Sequence, residues 1–430
     1  MLQKITTPKR ADWENLCKRP SLSQKDLDQT VQQIFSEIKR NGDSAVKKYT
    51  NFFDNAVLEN LKVSDKEIQE STHSINEELK QAIALAKNNI EKFHTAQIEK
   101  KQVIETSIGV NCWRESRAIE NIGIYIPGGS APLFSTVLML GIPARIAGCK
   151  NIILCTPPDA NGKINPIILY VAQLIGIISI YKIGGIQAIG AMALGTETVP
   201  KTDKIFGPGN QFVTAAKQAV LNYGVAIDLP AGPSEVLIIA DKTSNPDFIA
   251  SDLLSQAEHG PDSQVILVSD EKTIIDSTVL ALKTQTGQLP RKETVMKALA
   301  NSKAILLKDI NECIGFSNLY APEHLIIASE NASAFVSKIT NAGSVFLGNF
   351  SCESAGDYAS GTNHTLPTNG YAKNYSGVSL DSFIKKITFQ EISREGIQNI
   401  GPAIEILAEA EQLMAHKNAV TVRLKSLKDE

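Results

Sequence analysis

Short, unbroken apolar runs recur along this chain from about residue 120, each followed by a helical pattern and a Gly/Pro turn. The clearest runs are Ile152 to Cys155, Ile177 to Ile183, Glu235 to Ala240 and Gln264 to Val268, and helical patterns begin at Pro166, Gly185 and Pro246. A strand wetted on one face alternates apolar with polar, whereas a continuously apolar strand is buried on both faces. That is the situation of a parallel sheet covered by helices on each side. The pattern predicts a doubly wound α/β architecture, with ligands gathered at the carboxyl ends of the strands. A chain of 430 residues exceeds one compact core, so two sizeable domains are expected.

The first hundred residues read as helices. Val31, Ile34, Phe35 and Ile38 keep helical spacing up to Gly42, Ser64 and Glu67 have capping-box spacing, and Leu79, Ile83, Ala86, Ile90 and Phe93 give a longer amphipathic helix. After about residue 378 a β-like run, Phe383 to Ile392, leads to a helix near Pro402 in a small C-terminal unit. A net charge of −3 without any Lys/Arg-rich run gives no footprint for nucleic acid. The most apolar stretch, Ile167 to Tyr181, is too short to span a bilayer and is broken by Gly176, so it reads as a buried helix followed by a strand. The N-terminus lacks the apolar core of a signal peptide, and the six cysteines form no CxxC pair, so a reducing, cytoplasmic setting without disulfides or a thiolate zinc site is expected.

Several segments carry chemistry-bearing residues. The glycine-rich turns Tyr125-Ile-Pro-Gly-Gly-Ser-Ala-Pro and Phe206-Gly-Pro-Gly-Asn210 suit backbone amides approaching a phosphate or carboxylate, since glycine removes the obstructing Cβ and a helix N-terminus is electropositive. They equally suit ordinary strand-to-helix turns, and no GxGxxG fingerprint decides for a dinucleotide. In Ser255-Gln-Ala-Glu-His-Gly260, Gln256 and His259 are three apart and share a face, where they converge on a metal or join Asp252 in a solvated stripe. Tyr320-Ala-Pro-Glu-His-Leu sets Glu323 beside His324 before the run Leu325 to Ala328; two diverging side chains there suit two separate proton transfers, or form a surface dipeptide. Ser354 to His364 reads as a loop of small residues in which Asp357 offers a hard oxygen to a cation, or as a turn with a surface histidine. In the last helix Ile400, Ile404, Leu407, Glu411 and Met414 form one stripe with His416 behind it; a carboxylate on an apolar stripe is costly unless paired or at an interface.

Taken together, these segments resemble the histidinol dehydrogenase family through nearly the whole chain. The specific stretches are Tyr125-Ile-Pro-Gly-Gly, Gly-Gly-Ile-Gln187-Ala-Ile, Phe-Gly-Pro-Gly-Asn210, Pro-Ala-Gly-Pro-Ser234-Glu-Val, Asp252 to Gln264, Ala-Pro-Glu323-His324, Gly-Asp357-Tyr-Ala-Ser-Gly-Thr-Asn-His and Ala-His416-Lys-Asn-Ala-Val-Thr. The resemblance implies an α/β fold of two incomplete doubly wound dinucleotide-binding-like domains, with small N- and C-terminal units, in an intertwined homodimer. The implied boundaries are 1–22 for the N-terminal unit, 23–124 with 236–378 for the first large domain, 125–235 for the second, and 379–430 for the C-terminal unit.

It further implies zinc-dependent oxidation of L-histidinol to L-histidine through L-histidinal with two NAD⁺. Gln256, His259, Asp357 and His416 would hold one Zn²⁺ per subunit, and Tyr125, Gln187 and Asn210 would contact NAD. Ser234 and Glu411 would hold the substrate together with His324 and the four metal ligands, while Glu323 and His324 would be the proton acceptors. His416 and Glu411 are expected to complete the site of the partner subunit. The connection from Asp159 to Pro166 is longer than the family pattern; it reads as a surface turn and is expected to put no site residue in doubt. A thiohemiacetal route would need a nucleophilic cysteine; Cys112 and Cys155 are expected to be structural instead. Two other classes remain open from the residues alone: a zinc hydrolase with Glu323 as general base, and a non-catalytic metal or nucleotide sensor.

Overall fold

The computed structural model describes residues 2–19, 24–128, 132–230 and 232–428. Gly129, Ser130 and Ala131 of the first glycine-rich turn, and Ala231 ahead of Ser234, lie outside them. In chain order the strands are β1 (Gln3–Thr6), β2 (Val103–Ser107), β3 (Val110–Ala118), β4 (Asn121–Tyr125), β5 (Asn151–Thr156), β6 (Ser179–Lys182), β7 (Lys204–Phe206), β8 (Ala226–Ile227), β9 (Glu235–Ala240), β10 (Gln264–Ser269), β11 (Lys303–Leu306), β12 (His324–Ala328), β13 (Ser344–Leu347) and β14 (Ile384–Ile392).

Two compact units are present: residues 1–96 with 119–383, and residues 97–118 with 384–430. The first holds two parallel sheets, one in the order β6-β5-β4-β7-β8 and one in the order β1-β11-β10-β9-β12-β13. Both are doubly wound, because the chain moves outward on one side of β4 or β9 and then crosses to the other. The apolar runs are continuous for the expected reason: Ile152 and Leu154 face one core while Ile153 and Cys155 face the other. In the larger sheet, Val236 and Ile238 likewise face away from Leu237 and Ile239. The helices Pro166–Leu174, Gly185–Leu194 and Pro246–Ala257 begin where the sequence placed them, and Ser64 and Glu67 form the capping box.

The packing divides the chain differently from the expected boundaries. Helix Gln24–Asp54 lays Val31, Ile34, Phe35 and Ile38 on one face of the five-stranded sheet, and helix Glu77–Thr95 lays Ile83, Ala86 and Ile90 on the opposite face. Most of 23–124 therefore belongs with 125–235 rather than with 236–378. An amphipathic stripe says that a helix needs a sheet and not which one. Within 1–22, β1 is no separate unit but the edge of the six-stranded sheet, paired with β11. Gly42 (φ 50°) marks a break inside a longer helix rather than its end. No helix among the described residues is long and apolar enough to cross a membrane.

The second unit is an antiparallel sheet, β14-β3-β2, with helices Arg394–Ala410 and Met414–Ser426. Trp113 stacks on Phe389 across its register, with ring centroids 5.5 Å apart. Residues 97–118 thus join the C-terminal unit, which the sequence placed at 379–430. Pro402 lies inside a helix that starts at Arg394. The single stripe expected from Ile400 to Met414 is interrupted: Glu411 caps one helix, Gln412 turns with φ 60°, and Met414 begins the next.

Candidate active site

The five-stranded sheet switches direction between β4 and β7, and Tyr125 ends the first of these strands while Gly207 to Asn210 follow the second. The approach there is close. Gly207 has φ 131°, and a Cβ on it would come 2.1 Å from the Tyr125 carbonyl oxygen, so only glycine fits. The Gly207 peptide is held from beneath by a buried ion pair: Lys217 Nζ donates to its carbonyl (2.8 Å), and Asp228 accepts its N–H (2.8 Å) and pairs with Lys217 at 2.5 Å. Asn210 caps helix Gln211–Ala219 by accepting from Phe212 N–H and Val213 N–H. Gly185 N–H, at the start of helix Gly185–Leu194, donates to Tyr125 Oη at 3.0 Å. Gln187, fully buried two residues on, directs Nε2 toward Asp54 (3.4 Å) and leaves Oε1 without a hydrogen-bond partner. Tyr125, Asp54, Gln187 and Asn210 line one cavity of about 910 Å³, at the upper end of the range for small-molecule and cofactor pockets.

A second cavity, about 280 Å³, is lined by Tyr125 and Asn210 again and also by Ser234, His259, Glu323 and His364. Its far wall is the amino end of the six-stranded sheet: Ser234 precedes β9, Glu323 precedes β12 and His324 opens it. The expectation that ligands gather at carboxyl ends therefore applies to one sheet, while the other contributes its opposite end.

Glu323 and His324 are both buried, and they do not diverge as adjacent strand residues were expected to. His324 Nδ1 lies 3.7 Å from Glu323 Oε2. The backbone of Glu235 meets both: its N–H donates to Glu323 Oε2 (2.8 Å), and its carbonyl lies 3.2 Å from His324 Nδ1. With Nδ1 so engaged, Nε2 points at Asp357 Oδ1 (3.5 Å), and both of these buried atoms lack a hydrogen-bond partner. Asp357 stands on a short helix, Glu353–Tyr358, where the sequence suggested a loop. That helix also supplies Glu353, fully buried, which the sequence reading missed. Glu353 and Asp357 are four apart and so share a helical face, and that spacing was the available signal.

Ligand atoms of His259, Glu353 and Asp357 lie within 4.8 Å of one another. Gln256, at the end of helix Pro246–Ala257, is oriented so that its amide nitrogen donates to Glu353 Oε2 at 2.9 Å. Three carboxyl groups, Glu323, Glu353 and Asp357, crowd round the His324 ring. Burial pushes Glu323 up to about 8, against His324 and the Glu235 N–H. Burial lowers His324, but Glu323, Glu353 and Asp357 outweigh it and raise the imidazole to about 10, so the ring is free to act as a base only when a cation beside Asp357 offsets those carboxylates. Imidazole, carboxylate and amide oxygen around an unpartnered Asp357 oxygen fit a divalent cation of the borderline class. His364, by contrast, meets Ser135 Oγ at 3.2 Å. Glu411 and His416 belong to the second unit, where both are exposed.

Residues 17–424 match the family described as histidinol dehydrogenase. The chain belongs to that family. The histidinol dehydrogenase of Bacteroides thetaiotaomicron is 56% identical over 428 residues, covering 100% of both chains, and that of Escherichia coli is 53% identical over 418 residues, covering 96% of this chain and 95% of the relative. The crystal structure of histidinol dehydrogenase from Elizabethkingia anophelis superposes with a TM-score of 0.97 at 65% identity, covering 99% of each chain. Membership in the histidinol dehydrogenase family makes this chain an NAD-dependent dehydrogenase with a metal, and sets aside the hydrolase and sensor readings left open above.

Proposed function

We propose that this chain oxidises L-histidinol to L-histidine through L-histidinal, with two NAD⁺ used in succession and one Zn²⁺ per subunit. The observation that carries the reading is the pair of buried, unpartnered atoms, His324 Nε2 and Asp357 Oδ1, beside the carboxylate and imidazole cluster. Gln256, His259 and Asp357 hold the zinc with the partner subunit's His416. Zinc, when bound, orients the substrate's nitrogens and carries no electrons. Tyr125, Gln187 and Asn210 hold NAD, which accepts hydride in each oxidation.

His324 takes the hydroxyl proton at Nε2 as hydride leaves the carbinol carbon. Its tautomer is set at Nδ1 by the Glu235 carbonyl. Glu323 then takes a proton from the water that adds to the aldehyde, and His324 serves again as base in the second oxidation. Ser234 and the partner subunit's Glu411 hold the substrate, so the aldehyde stays bound between steps.

A homodimer with shared sites is supported by the apolar residues around Glu411 and His416: Ile406, Leu407, Leu413 and Met414 are all exposed, a pattern that calls for a covering surface. Six free thiols agree with a cytoplasmic setting. The test is the yield of NADH per histidinol, with and without prior removal of metal by a chelator. Two per histidinol and none after metal removal are expected. A yield of one overturns the two-step scheme, and full activity without metal overturns the zinc role.

A further inference from the structure

Nothing in the reaction chemistry uses the N-terminal segment, yet its Arg19 reaches the back of the catalytic pair. The guanidinium grips Glu235 with two hydrogen bonds, Nε to Oε1 and Nη2 to Oε2, each 2.9 Å. The Glu235 side chain is 2% exposed and that of Arg19 13%. A second donor, Asn369 N–H, meets Glu235 Oε1 at 2.7 Å. The guanidinium also lies 3.7 Å over the Tyr320 ring and donates to the Tyr320 carbonyl at 2.8 Å. Tyr320 ends helix Ile310–Tyr320, where carbonyls are free and a cation is favoured. It precedes Glu323 by three residues, with Ala321 in between held at φ 55°. Arg19 thus clasps two pieces of backbone at once: the start of β9, whose Glu235 peptide groups contact the proton-transfer pair, and the approach to β12, which carries that pair.

We infer that Arg19 is a positioning residue for Glu323 and His324, acting through Glu235. The inference rests on the roles proposed above for that pair. Its physical content lies in the Glu235 peptide groups, which contact Glu323 Oε2 on one side and His324 Nδ1 on the other. A shift of the Glu235 backbone would move both contacts together, tilting the imidazole and freeing the carboxylate. The geometry needs a planar fork rather than a point charge, because two parallel hydrogen bonds and ring stacking are made at once. Lysine therefore does not replace it.

The experiment compares full-length Arg19→Gln, Arg19→Lys, Glu235→Gln and the double variant Arg19→Gln/Glu235→Gln, with Trp13→Phe as a packing control in the same segment and His324→Asn as a control on the proton-transfer reading. Steady-state kinetics with histidinol and NAD⁺, metal content and Tm are read for each. Arg19→Gln and Arg19→Lys are expected to lose about 100-fold in kcat, the scale of a displacement of about 1 Å in a catalytic group. KM values should change less than about twofold and metal content not at all. Trp13→Phe should lower Tm while keeping kcat. The double variant should lose no more than the worse single one, because the two residues act as a unit.

A kcat within about twofold of the parent in Arg19→Gln overturns the inference, as does a loss that tracks metal content or Tm, or multiplicative losses in the double variant. If His324→Asn keeps its turnover, the proton-transfer roles themselves fall. If His324→Asn is dead and Arg19→Gln is normal, only the positioning role falls.

Discussion

Adjacent residues seldom have complementary surroundings, and Glu323 and His324 are a case in which they do. Both meet the Glu235 backbone, yet the carboxylate receives an N–H while the imidazole faces a carbonyl. One backbone residue therefore favours an acceptor and a donor side by side, and the two side chains can be separated by substitution. Glu323→Gln keeps the size and the contact with Glu235 N–H but removes the base. It is expected to spare aldehyde formation and to slow aldehyde oxidation by about 100-fold or more, the usual worth of one general base. Half-reactions assayed separately with histidinol and with histidinal check this, and equal losses in both would contradict the division of labour. The sequence made these two residues visible because histidine is scarce and a Glu-His pair ahead of an apolar run stands out. It hid Glu235, Glu353 and Arg19 because a lone Glu or Arg in one sequence is far more often a solvated surface residue. Only burial, which depends on distant segments, distinguishes them.

At the level of elements, strands and helix starts were legible because their signals are local: continuous apolar runs, Asn and Ser caps, proline at a first turn. Partnership was not, and the clearest instance is helix Gln24–Asp54, which packs on the five-stranded sheet. Its last residue, Asp54, is carried into the larger of the two cavities, where burial raises its carboxyl from 3.8 to about 6. An acid whose pKa is higher folded than unfolded binds protons more readily in the native state. Its contribution to stability is thus most favourable below about pH 4 and is lost as pH rises toward 6 and beyond. Asp54→Asn, which removes that titration, is expected to raise Tm at pH 7.5 and to leave it unchanged at pH 4. Thermal unfolding of cofactor-free protein at the two pH values reads this, and an equal effect at both would refute the assignment.

For the molecule as a whole, the second unit is a three-stranded sheet and two helices that leave Ile406, Leu407, Leu413 and Met414 in solvent. If the proposed dimer shares its sites, each requires His259 from one chain and the partner subunit's His416. An inactive His416→Ala chain mixed with an inactive His259→Ala chain should then regain activity through hybrid sites. Random exchange would restore about one intact site in each hybrid dimer, and this follows from the two-fold symmetry of such assemblies. Absence of recovery in proven hybrids would count against shared sites.

The two parallel sheets meet the shared pair of cavities with opposite polarity. Each peptide unit carries a dipole, and aligned in a helix these sum to about half a unit of charge at either end, positive at the start and negative at the finish. Helices Gly185–Leu194 and Gln211–Ala219 begin at the rim bearing Gln187 and Asn210, whereas helix Pro246–Ala257 finishes at the rim bearing Gln256. One rim is therefore biased toward an anionic diphosphate and the other toward a cation before any side chain is counted. If the proposed function holds, the same building plan, mounted in two senses, would sort two ligands of opposite sign to their own sides.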